Sequence, residues 1–328
     1  MSPQSITRRS AMAFAALALA AAQPAVAQTK WNLPGAYPAS NYHSETMVWF
    51  AEEVKKATAG KLEITVHPGA SLFKAPEIKR AVATGQAQMG EVLISIHENE
   101  YAVFGIDSIP FLTGSIQDSR KLWEAAKGHI AGKLDSQGIR LLYASPWPNQ
   151  GLYAKKDINS LADLKGLKMR TYNVGTTRIA ELAGAQGVTV QAADLAQALA
   201  TGTVNAFMTS GATGFDTKVW ETMTHFYDLQ AWQPTNVVFV NKAAFAGLPA
   251  DQQAAITKAA EAAEKRAWAV AAEKTGWFLE QLKGRGMKVL PPSAELKSGL
   301  GKIGEQLIAD WKKKAGADGE AILAGYKK

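Results

Sequence analysis

A single arginine lies in a segment suited to binding an anion. Residues 160–173 read SLADLKGLKMRTYN, a pattern that predicts a capped helical turn, a glycine turn and a strand carrying Arg170. A helix is predicted next, from about Thr176 to Leu182. A guanidinium at the carboxyl end of a strand, just before a helix N-terminus, can pair with a carboxylate through two hydrogen bonds, and the helix amides add partial positive charge. Spacing alone fits a surface or salt-bridged arginine equally well.

The motifs of the common enzyme classes are missing. The sequence contains no Gly-x-x-x-x-Gly-Lys-Ser/Thr loop, no Gly-x-Gly-x-x-Gly directly after a predicted strand and no Gly-x-Ser-x-Gly elbow. It has no cysteine, which excludes thiolate zinc sites, iron–sulfur clusters and cysteine nucleophiles. The five histidines are never four residues apart: His43, His67, His97, His129 and His225. We therefore expect no catalytic residue, no bound metal and no cofactor.

The composition indicates a globular protein of two domains. The chain has 328 residues, of which 47% are hydrophobic and 20% charged, with a formal net charge of +7. Lysines and arginines are scattered among acidic residues, and no dense basic run alternates with aromatic residues. This pattern favours a mixed-charge surface over a nucleic-acid interface, so we expect no nucleic-acid partner.

The N-terminus has the features of a cleaved export signal. Arg8 and Arg9 precede an apolar run from Ala11 to Ala22, and Ala25-Val26-Ala27 is a small-x-small cleavage pattern. The run is about a dozen residues long, short of the roughly 20 that cross a bilayer. We interpret residues 1–27 as a signal peptide and expect a periplasmic protein, whose charge falls from +7 to +5 when the two arginines are removed.

The elements that must position Arg170 alternate between strands and helices. Leu62 to Val66 and Met89 to Ile96 are predicted strands, separated by a helix from Pro76 to Thr84 that stops at Gly85. Gly138 to Ser145 is a further strand. Such alternation predicts an α/β fold with parallel strand pairing.

Two parts of the chain share one local pattern. Ala81 to Gly85 reads AVATG and leads into the predicted strand at Met89, while Ala198 to Gly202 reads ALATG and leads into a predicted strand from Asn205 to Thr209. Together with the length of the chain, the repeated pattern favours two α/β lobes of similar structure.

A long amphipathic helix is predicted from Pro249 to Lys283. Its apolar positions recur at helical spacing, and glycines follow at 284 and 286. At 1.5 Å per residue it would be about 50 Å long, enough to bridge two lobes. Trp268, Trp277 and Phe278 lie on it and are expected to pack.

The run Leu161 to Arg170 resembles the LADLKGLKxR segment of the DctP-type solute-binding proteins of tripartite ATP-independent periplasmic (TRAP) transporters. The resemblance extends over the remaining chain. Its other parts are Glu77 to Glu91, Gly151 to Lys155, Thr201 to Ser210, and the long helix followed by Gly286 to Val289.

This resemblance implies a bilobal periplasmic binding protein that is not an enzyme. Two α/β lobes would be joined by a hinge and by the long helix spanning both, and would close on a ligand. Lobe I is expected at residues 28–147 and 236–275, and lobe II at 148–235 and 276–328. The implied partners are a small organic acid and the TRAP membrane permease subunits, with the binding protein itself a monomer.

The resemblance also implies roles for individual residues. Arg170 would pair with the ligand carboxylate, and Asn173 matches a ligand-facing asparagine of the sialic-acid-binding branch. Where that branch has a second arginine this chain has Gln150, which argues against a doubly charged ligand, and where it has another asparagine stands Ser210. Glu91 aligns with a strand end of lobe I, where it could accept ligand hydroxyls or cap a surface network.

Several aromatic and small polar residues are expected near the cleft. They are Trp147, Tyr153, Tyr172, Phe215, Trp232, Thr209, Ser210 and Gly211. A site with one arginine for a carboxylate and with aromatic walls favours an aromatic or apolar 2-oxo or 2-hydroxy monocarboxylate. A uronic or aldonic sugar acid and a C4-dicarboxylate are alternatives, and each aromatic residue could instead pack in the core. The alternative classes are an exported sugar-acid enzyme and a sensor-accessory binding protein.

Overall fold

The computed structural model describes residues 28–327, so the predicted signal peptide, residues 1–27, lies outside the described part. Within that part, no helix combines the length and the apolar character needed to cross a membrane. The described chain forms two α/β lobes, and the predicted fold class is confirmed.

The first lobe contains two small sheets covered by helices. Its elements are β1 (Thr29–Pro34), α1 (Tyr42–Ala57), β2 (Leu62–His67), α2 (Ala75–Ala83), β3 (Met89–Leu93), α3 (Ile116–Asp135) and β4 (Ile139–Pro146). β1 pairs with β2 in parallel. β3 and β4 flank a strand from much later in the chain, β10 (Thr235–Asn241), and both run antiparallel to it.

The second lobe is built on one six-stranded sheet. It contains β5 (Gln150–Ala154), β6 (Lys168–Thr171), α4 (Val174–Leu182), β7 (Gln186–Thr189), α5 (Leu195–Ala200), β8 (Ala206–Ser210), α6 (Gly211–Asp216) and β9 (His225–Tyr227). The strand order is β11-β9-β5-β8-β6-β7, where β11 spans Lys288–Leu290. The other elements are α7 (Lys242–Ala246), α8 (Ala250–Gly284), α9 (Ala294–Tyr326) and short 3₁₀ helices at Ile94–His97, Ala102–Ser108, Leu161–Leu164, Ala192–Asp194 and Val219–Glu221.

The repeated helix–glycine–strand pattern is confirmed. α2 is followed by Gly85 and β3, and α5 is followed by Gly202 and β8. Both glycines have positive φ angles, +77° and +70°, a left-handed backbone that glycine adopts without strain. The same local signal therefore directs the chain into a strand in each lobe.

The expected parallel pairing is present only in part: β1 pairs in parallel with β2, β6 with β7 and β8, and β9 with β11. β10 is antiparallel to both of its neighbours, and β5 is antiparallel to β8 and to β9. These antiparallel contacts arise because β5 and β10 carry the chain from one lobe into the other. The predicted strand Met89 to Ile96 also ends early, at Leu93, because Leu93 pairs with Asn236 and β10 begins one residue earlier.

Two helices join the lobes. α8 places Ile256 and Ala263 in a core of the first lobe and Leu282 in a core of the second, so the predicted spanning helix is present. α9 does the same in the opposite direction: Leu296 is buried in the second lobe and Trp311 in the first. The assignment of residues 276–328 to lobe II stays a prediction. It does not include the packing of α9 on both lobes.

Candidate ligand-binding site

Arg170 lies at the carboxyl-terminal end of β6, where the sequence predicted it. Its side chain is only 4% exposed. Nε donates a hydrogen bond to the carbonyl oxygen of Val190 at 2.8 Å, and the guanidinium carbon lies 4.6 Å from the centre of the Tyr172 ring. None of the ion pairs between described residues includes Arg170.

Burial leaves this guanidinium charged but short of interactions. Desolvation lowers the pKa of Arg170 to about 10, so the group still carries its proton at neutral pH. A buried charge is stable only when paired or hydrogen-bonded, and the partners here are the Val190 carbonyl and the face of the Tyr172 ring. The site is therefore electrostatically prepared for an anion.

A small cavity of about 40 Å³ lies beside Arg170, between the lobes. Its walls come from Ala36, Tyr37, Ala75, Leu93, Ile96, Trp147, Gln150, Arg170, Tyr172, Gln191, Ala192, Thr209, Thr213 and Pro234. Arg170 is the one charged residue among them. The cavity therefore combines a single positive charge with neutral polar groups and an apolar wall.

Trp147 forms an aromatic wall whose position is fixed from behind. Its indole Nε1 donates to Asn236 Oδ1 at 2.7 Å. The ring meets Tyr37 edge-on, with centroids 4.7 Å apart, and packs against His43 at 4.2 Å. Because Trp147 is 4% exposed and fully supported, it offers a rigid apolar surface to a ligand.

Neutral polar groups face the same cavity. Gln150 donates from Nε2 to the carbonyl oxygen of Pro148 at 2.9 Å, and no hydrogen bond between described residues uses its Oε1 or the Thr209 hydroxyl. Tyr172 is buried, and desolvation raises the pKa of its hydroxyl, so it remains protonated. Together these groups can donate to and accept from an uncharged polar part of a ligand.

Asn173 lies away from the cavity. Its Oδ1 accepts from the backbone N–H of Thr176 at 2.8 Å and caps α4, while Nδ2 donates to Ser95 Oγ at 2.9 Å in the first lobe. The helix N-terminus expected beside the anion is thus occupied by its own cap, because the chain turns between Arg170 and Asn173. Asn173 links the lobes.

Ser210 and Gly211 have structural roles at the start of α6. Ser210 Oγ accepts from the backbone N–H of Thr213 at 3.3 Å and caps α6. A Cβ on Gly211 would lie 3.1 Å from Phe278 Cβ, so the glycine permits close packing against α8. Neither residue lines the cavity.

Three of the aromatic residues expected near the cleft pack elsewhere. Tyr153 stacks on Phe207 inside the second lobe, and its hydroxyl donates to the carbonyl oxygen of Ser210 at 3.1 Å. Trp232 is completely buried in a core of the same lobe. Phe215 packs against Trp277 at 5.1 Å, outside the cavity walls.

Glu91 is buried one layer behind the cavity. Its Oε1 accepts a hydrogen bond from Asn236 Nδ2 and lies 3.7 Å from His43 Nδ1. Burial raises the pKa of Glu91 to about 7. The carboxyl is not among the groups that line the cavity.

Sequence reasoning missed several wall residues. Those without any earlier signal are Ala36, Tyr37, Ala75, Leu93, Ile96, Gln191, Ala192, Thr213 and Pro234. Five of them come from the first lobe, some in loops and some at the ends of helices and strands, and nothing in their local spacing marks them. Gln191 is next to a residue that contacts Arg170, because it follows Val190, whose carbonyl oxygen accepts the hydrogen bond from Arg170.

Residues 35–314 match the DctP family, described as bacterial extracellular solute-binding protein, family 7. The chain belongs to this family. The predicted recognition is therefore confirmed over most of the described chain.

Solved structures resemble this DctP-family protein closely. DctP6 of Bordetella pertussis, an extracytoplasmic solute receptor binding pyroglutamic acid, is 51% identical, with a TM-score of 0.90 over 91% of this chain and 99% of that chain. A marine-metagenome TRAP solute-binding protein specific for pyroglutamate is 48% identical, with a TM-score of 0.90 over 92% of this chain and 99% of that chain. The C4-dicarboxylate-binding periplasmic protein DctP of Rhodobacter capsulatus is 26% identical over 245 residues, 72% of each chain.

Proposed function

We propose that this protein is the periplasmic receptor of a TRAP transporter and that it captures a small cyclic monocarboxylate, pyroglutamate. The observation that carries the proposal is the buried guanidinium of Arg170, which has no carboxylate partner among residues 28–327 and faces a cavity between the lobes. The pyroglutamate receptors of 51% and 48% identity support the choice of ligand.

The charge of the cavity supports a monoanion. Arg170 is the one cation among the wall residues, and these include no acid. Gln150 adds a polar group without charge. A second ligand carboxylate would therefore be desolvated without a countercharge, a large penalty in a buried site, and a C4-dicarboxylate is disfavoured.

The shape of the cavity supports a compact ring. Trp147, Tyr37 and Leu93 bound a narrow space beside Arg170, and the two pyroglutamate receptors favour a five-membered ring over the aryl 2-oxo acids that the aromatic residues first suggested. In the proposed complex the carboxylate pairs with Arg170 and the ring packs against Trp147. The lactam N–H and carbonyl meet neutral polar groups, of which Gln150 and Thr209 have free hydrogen-bonding atoms.

Capture follows from lobe closure. Tyr37 and Leu93 come from the first lobe and Arg170 and Thr209 from the second, so separating the lobes would open the cavity to water. Ligand bound to both sets of residues favours the closed arrangement. Removing water around Arg170 then strengthens its attraction to the carboxylate.

The remaining parts of the proposal concern delivery. Residues 1–27 would direct export and be removed, and the closed complex would dock on TRAP membrane permease subunits. We propose that the bound acid is released unchanged, as expected of a receptor, with no catalytic step and no cofactor.

Isothermal titration with pyroglutamate tests the proposal directly. In Arg170→Gln, which keeps a polar side chain but removes the charge, we expect affinity to fall at least 30-fold, about 2 kcal/mol, the lower end for removing one partner of a buried charge pair. The matched control is Arg178→Gln, since Arg178 is solvent-accessible on α4 and pairs with Glu181. An Arg170→Gln affinity within threefold of the wild type would contradict the carboxylate pairing.

A thermal-shift panel tests the ligand class. A ligand at about 100 times its Kd adds roughly 2.7 kcal/mol of stability, so binders are recognised by a raised Tm. We expect the largest shift with pyroglutamate, a smaller one with proline, which lacks the lactam carbonyl, and none with succinate or phenylpyruvate. A larger shift with succinate would replace the proposed monocarboxylate with a dicarboxylate.

A further inference from the structure

Glu91, Asn236 and Trp147 form a buried chain of hydrogen bonds that ends at the cavity wall. Glu91 on β3 and Asn236 on β10 are 1% and 0% exposed. Asn236 Nδ2 donates to Glu91 Oε1, and Asn236 Oδ1 accepts from Trp147 Nε1 at 2.7 Å. Of the three residues, only Trp147 lines the cavity.

Glu91 holds one end of the Asn236 amide and Trp147 contacts the other. An amide side chain donates from one end and accepts at the other, and its two ends have nearly the same shape. Glu91 and Trp147 fix this orientation together, because the carboxylate accepts from the Asn236 nitrogen and the indole N–H, which can only donate, requires the Asn236 oxygen. Without Glu91, the buried Asn236 nitrogen would lose its partner, and the amide that holds Trp147 would be fixed at one end only.

A second wall residue, Tyr37, packs against Trp147. The Tyr37 ring meets Trp147 edge-on, with centroids 4.7 Å apart. Holding Trp147 through Asn236 therefore also supports the Tyr37 ring from one side.

We propose that Glu91 is a positioning residue for ligand binding, which acts through Asn236 to hold Trp147, and through it the adjoining Tyr37 ring, in place as cavity walls. The proposal rests on the proposed function of the cavity as a carboxylate site. It replaces the expectation that Glu91 itself accepts ligand hydroxyls.

Electrostatics agrees with a position one layer behind the wall. A carboxylate in contact with an anionic ligand would repel it, whereas Glu91 is separated from the cavity by Asn236 and the aromatic rings. Burial raises the pKa of Glu91 to about 7, which reduces its negative charge at neutral pH. The carbonyl oxygen of a neutral carboxyl still accepts from Asn236.

Two measurements on the full-length mature protein test the proposal. The first is the affinity for pyroglutamate by calorimetry. The second is the indole N–H resonance of Trp147 in the ligand-free protein, assigned by its absence in Trp147→Phe. In Glu91→Leu we expect at least a 10-fold loss of affinity together with a shift of that resonance. Glu91→Gln keeps an acceptor for Asn236 and should return both toward the wild type.

Controls separate positioning from the alternatives. Tyr143→Phe removes another buried hydroxyl near Glu91, one without a hydrogen-bond partner among the described residues, and should change neither measurement. Asn236→Ala breaks the same chain without altering Glu91 and should reproduce the Glu91→Leu result, which covers the case in which Glu91→Leu does not fold.

Three results would overturn the proposal. One is an affinity of Glu91→Leu within threefold of the wild type. Another is lost affinity with an unmoved Trp147 resonance, which would mean direct contact between Glu91 and the ligand. The third is a Glu91→Gln variant with a restored resonance but no restored binding. If wild-type protein does not bind pyroglutamate, the proposed function fails, while the resonance of ligand-free Glu91→Leu still tests the positioning.

Discussion

At the scale of single residues, burial leaves Arg170 charged but favours the neutral form of the buried carboxyl groups. Arg170 keeps its charge although it is desolvated, and it has one hydrogen bond to a backbone carbonyl. An anion beside it would therefore stabilise the buried charge. Glu91 and Glu98 instead have raised pKa values of about 7, because burial penalises their charged forms. The sequence marked Arg170 by its position, but gave no sign that these two acids are buried.

Glu98 makes the stability depend on pH. It lies between Gly105 and Gly175, and its Oε2 has no hydrogen-bond partner among the described residues. A carboxyl with a raised folded-state pKa stabilises the fold below its unfolded pKa, and that contribution is lost as the pH rises toward 7. We therefore expect the wild type to lose stability relative to Glu98→Gln between pH 5 and pH 8.

Urea unfolding of the wild type and Glu98→Gln at pH 5 and pH 8 measures this difference, because the glutamine side chain at position 98 is uncharged at both pH values. Other titrating groups are common to the two proteins and cancel in the comparison. An equal stability difference at pH 5 and pH 8 would mean that Glu98 is not the raised group.

At the scale of elements, periodicity and glycine stops predicted the helices and strands well. Both copies of the helix–glycine–strand unit and the long helix α8 formed near their expected bounds. Strand direction was not predictable, since it depends on which distant segment a strand meets. β10, for example, lies between β3 and β4, although both strands are far from it in the sequence: β3 ends at Leu93, β4 ends at Pro146 and β10 begins at Thr235.

Two glycines in helices should respond oppositely to alanine. A Cβ on Gly214 in α6 would lie 2.2 Å from the Tyr153 hydroxyl oxygen, whereas a Cβ on Gly276 in α8 would meet nothing within 4 Å. We expect Gly214→Ala to destabilise the protein by about 1–3 kcal/mol, as overpacking does. Gly276→Ala should stabilise it by up to about 1 kcal/mol through helix propensity.

Thermal or urea unfolding of the two variants provides the check. The substitution is the same in both, so only the surroundings of each glycine differ. A Gly214→Ala protein as stable as Gly276→Ala would show that Tyr153 can move aside without loss.

At the scale of the whole molecule, the lobes contact each other directly as well as through the ligand site. Asn173 on the second lobe donates to Ser95 on the first, and Asn41 on the first lobe donates from Nδ2 to Asp216 Oδ2 at 2.6 Å on the second. Burial raises the pKa of Asp216 to about 6, so the carboxylate is mainly ionised above neutral pH. These contacts favour the closed arrangement.

Removing the Asp216 contact should shift the balance toward open lobes. For Asp216→Ala we expect a several-fold weaker affinity for pyroglutamate, expressed mainly as faster dissociation, because the contact joins the two lobes in the closed arrangement. Stopped-flow kinetics measures the two rates, and Glu320→Ala on the exposed face of α9 serves as the control. An unchanged dissociation rate would show that the contact does not contribute to closure.

The sequence by itself determined the family, the α/β elements, the long helix and the position of Arg170 at the end of a strand. Each of these depends on local spacing, on residue type or on a contiguous motif. Only the tertiary structure decided which side chains surround Arg170, because Tyr37, Leu93 and Trp147 reach it from another lobe. It also decided that Asn173 and Ser210 cap helices instead of facing the cavity. Contacts between distant segments depend on how whole lobes pack, and no local pattern of one sequence records that.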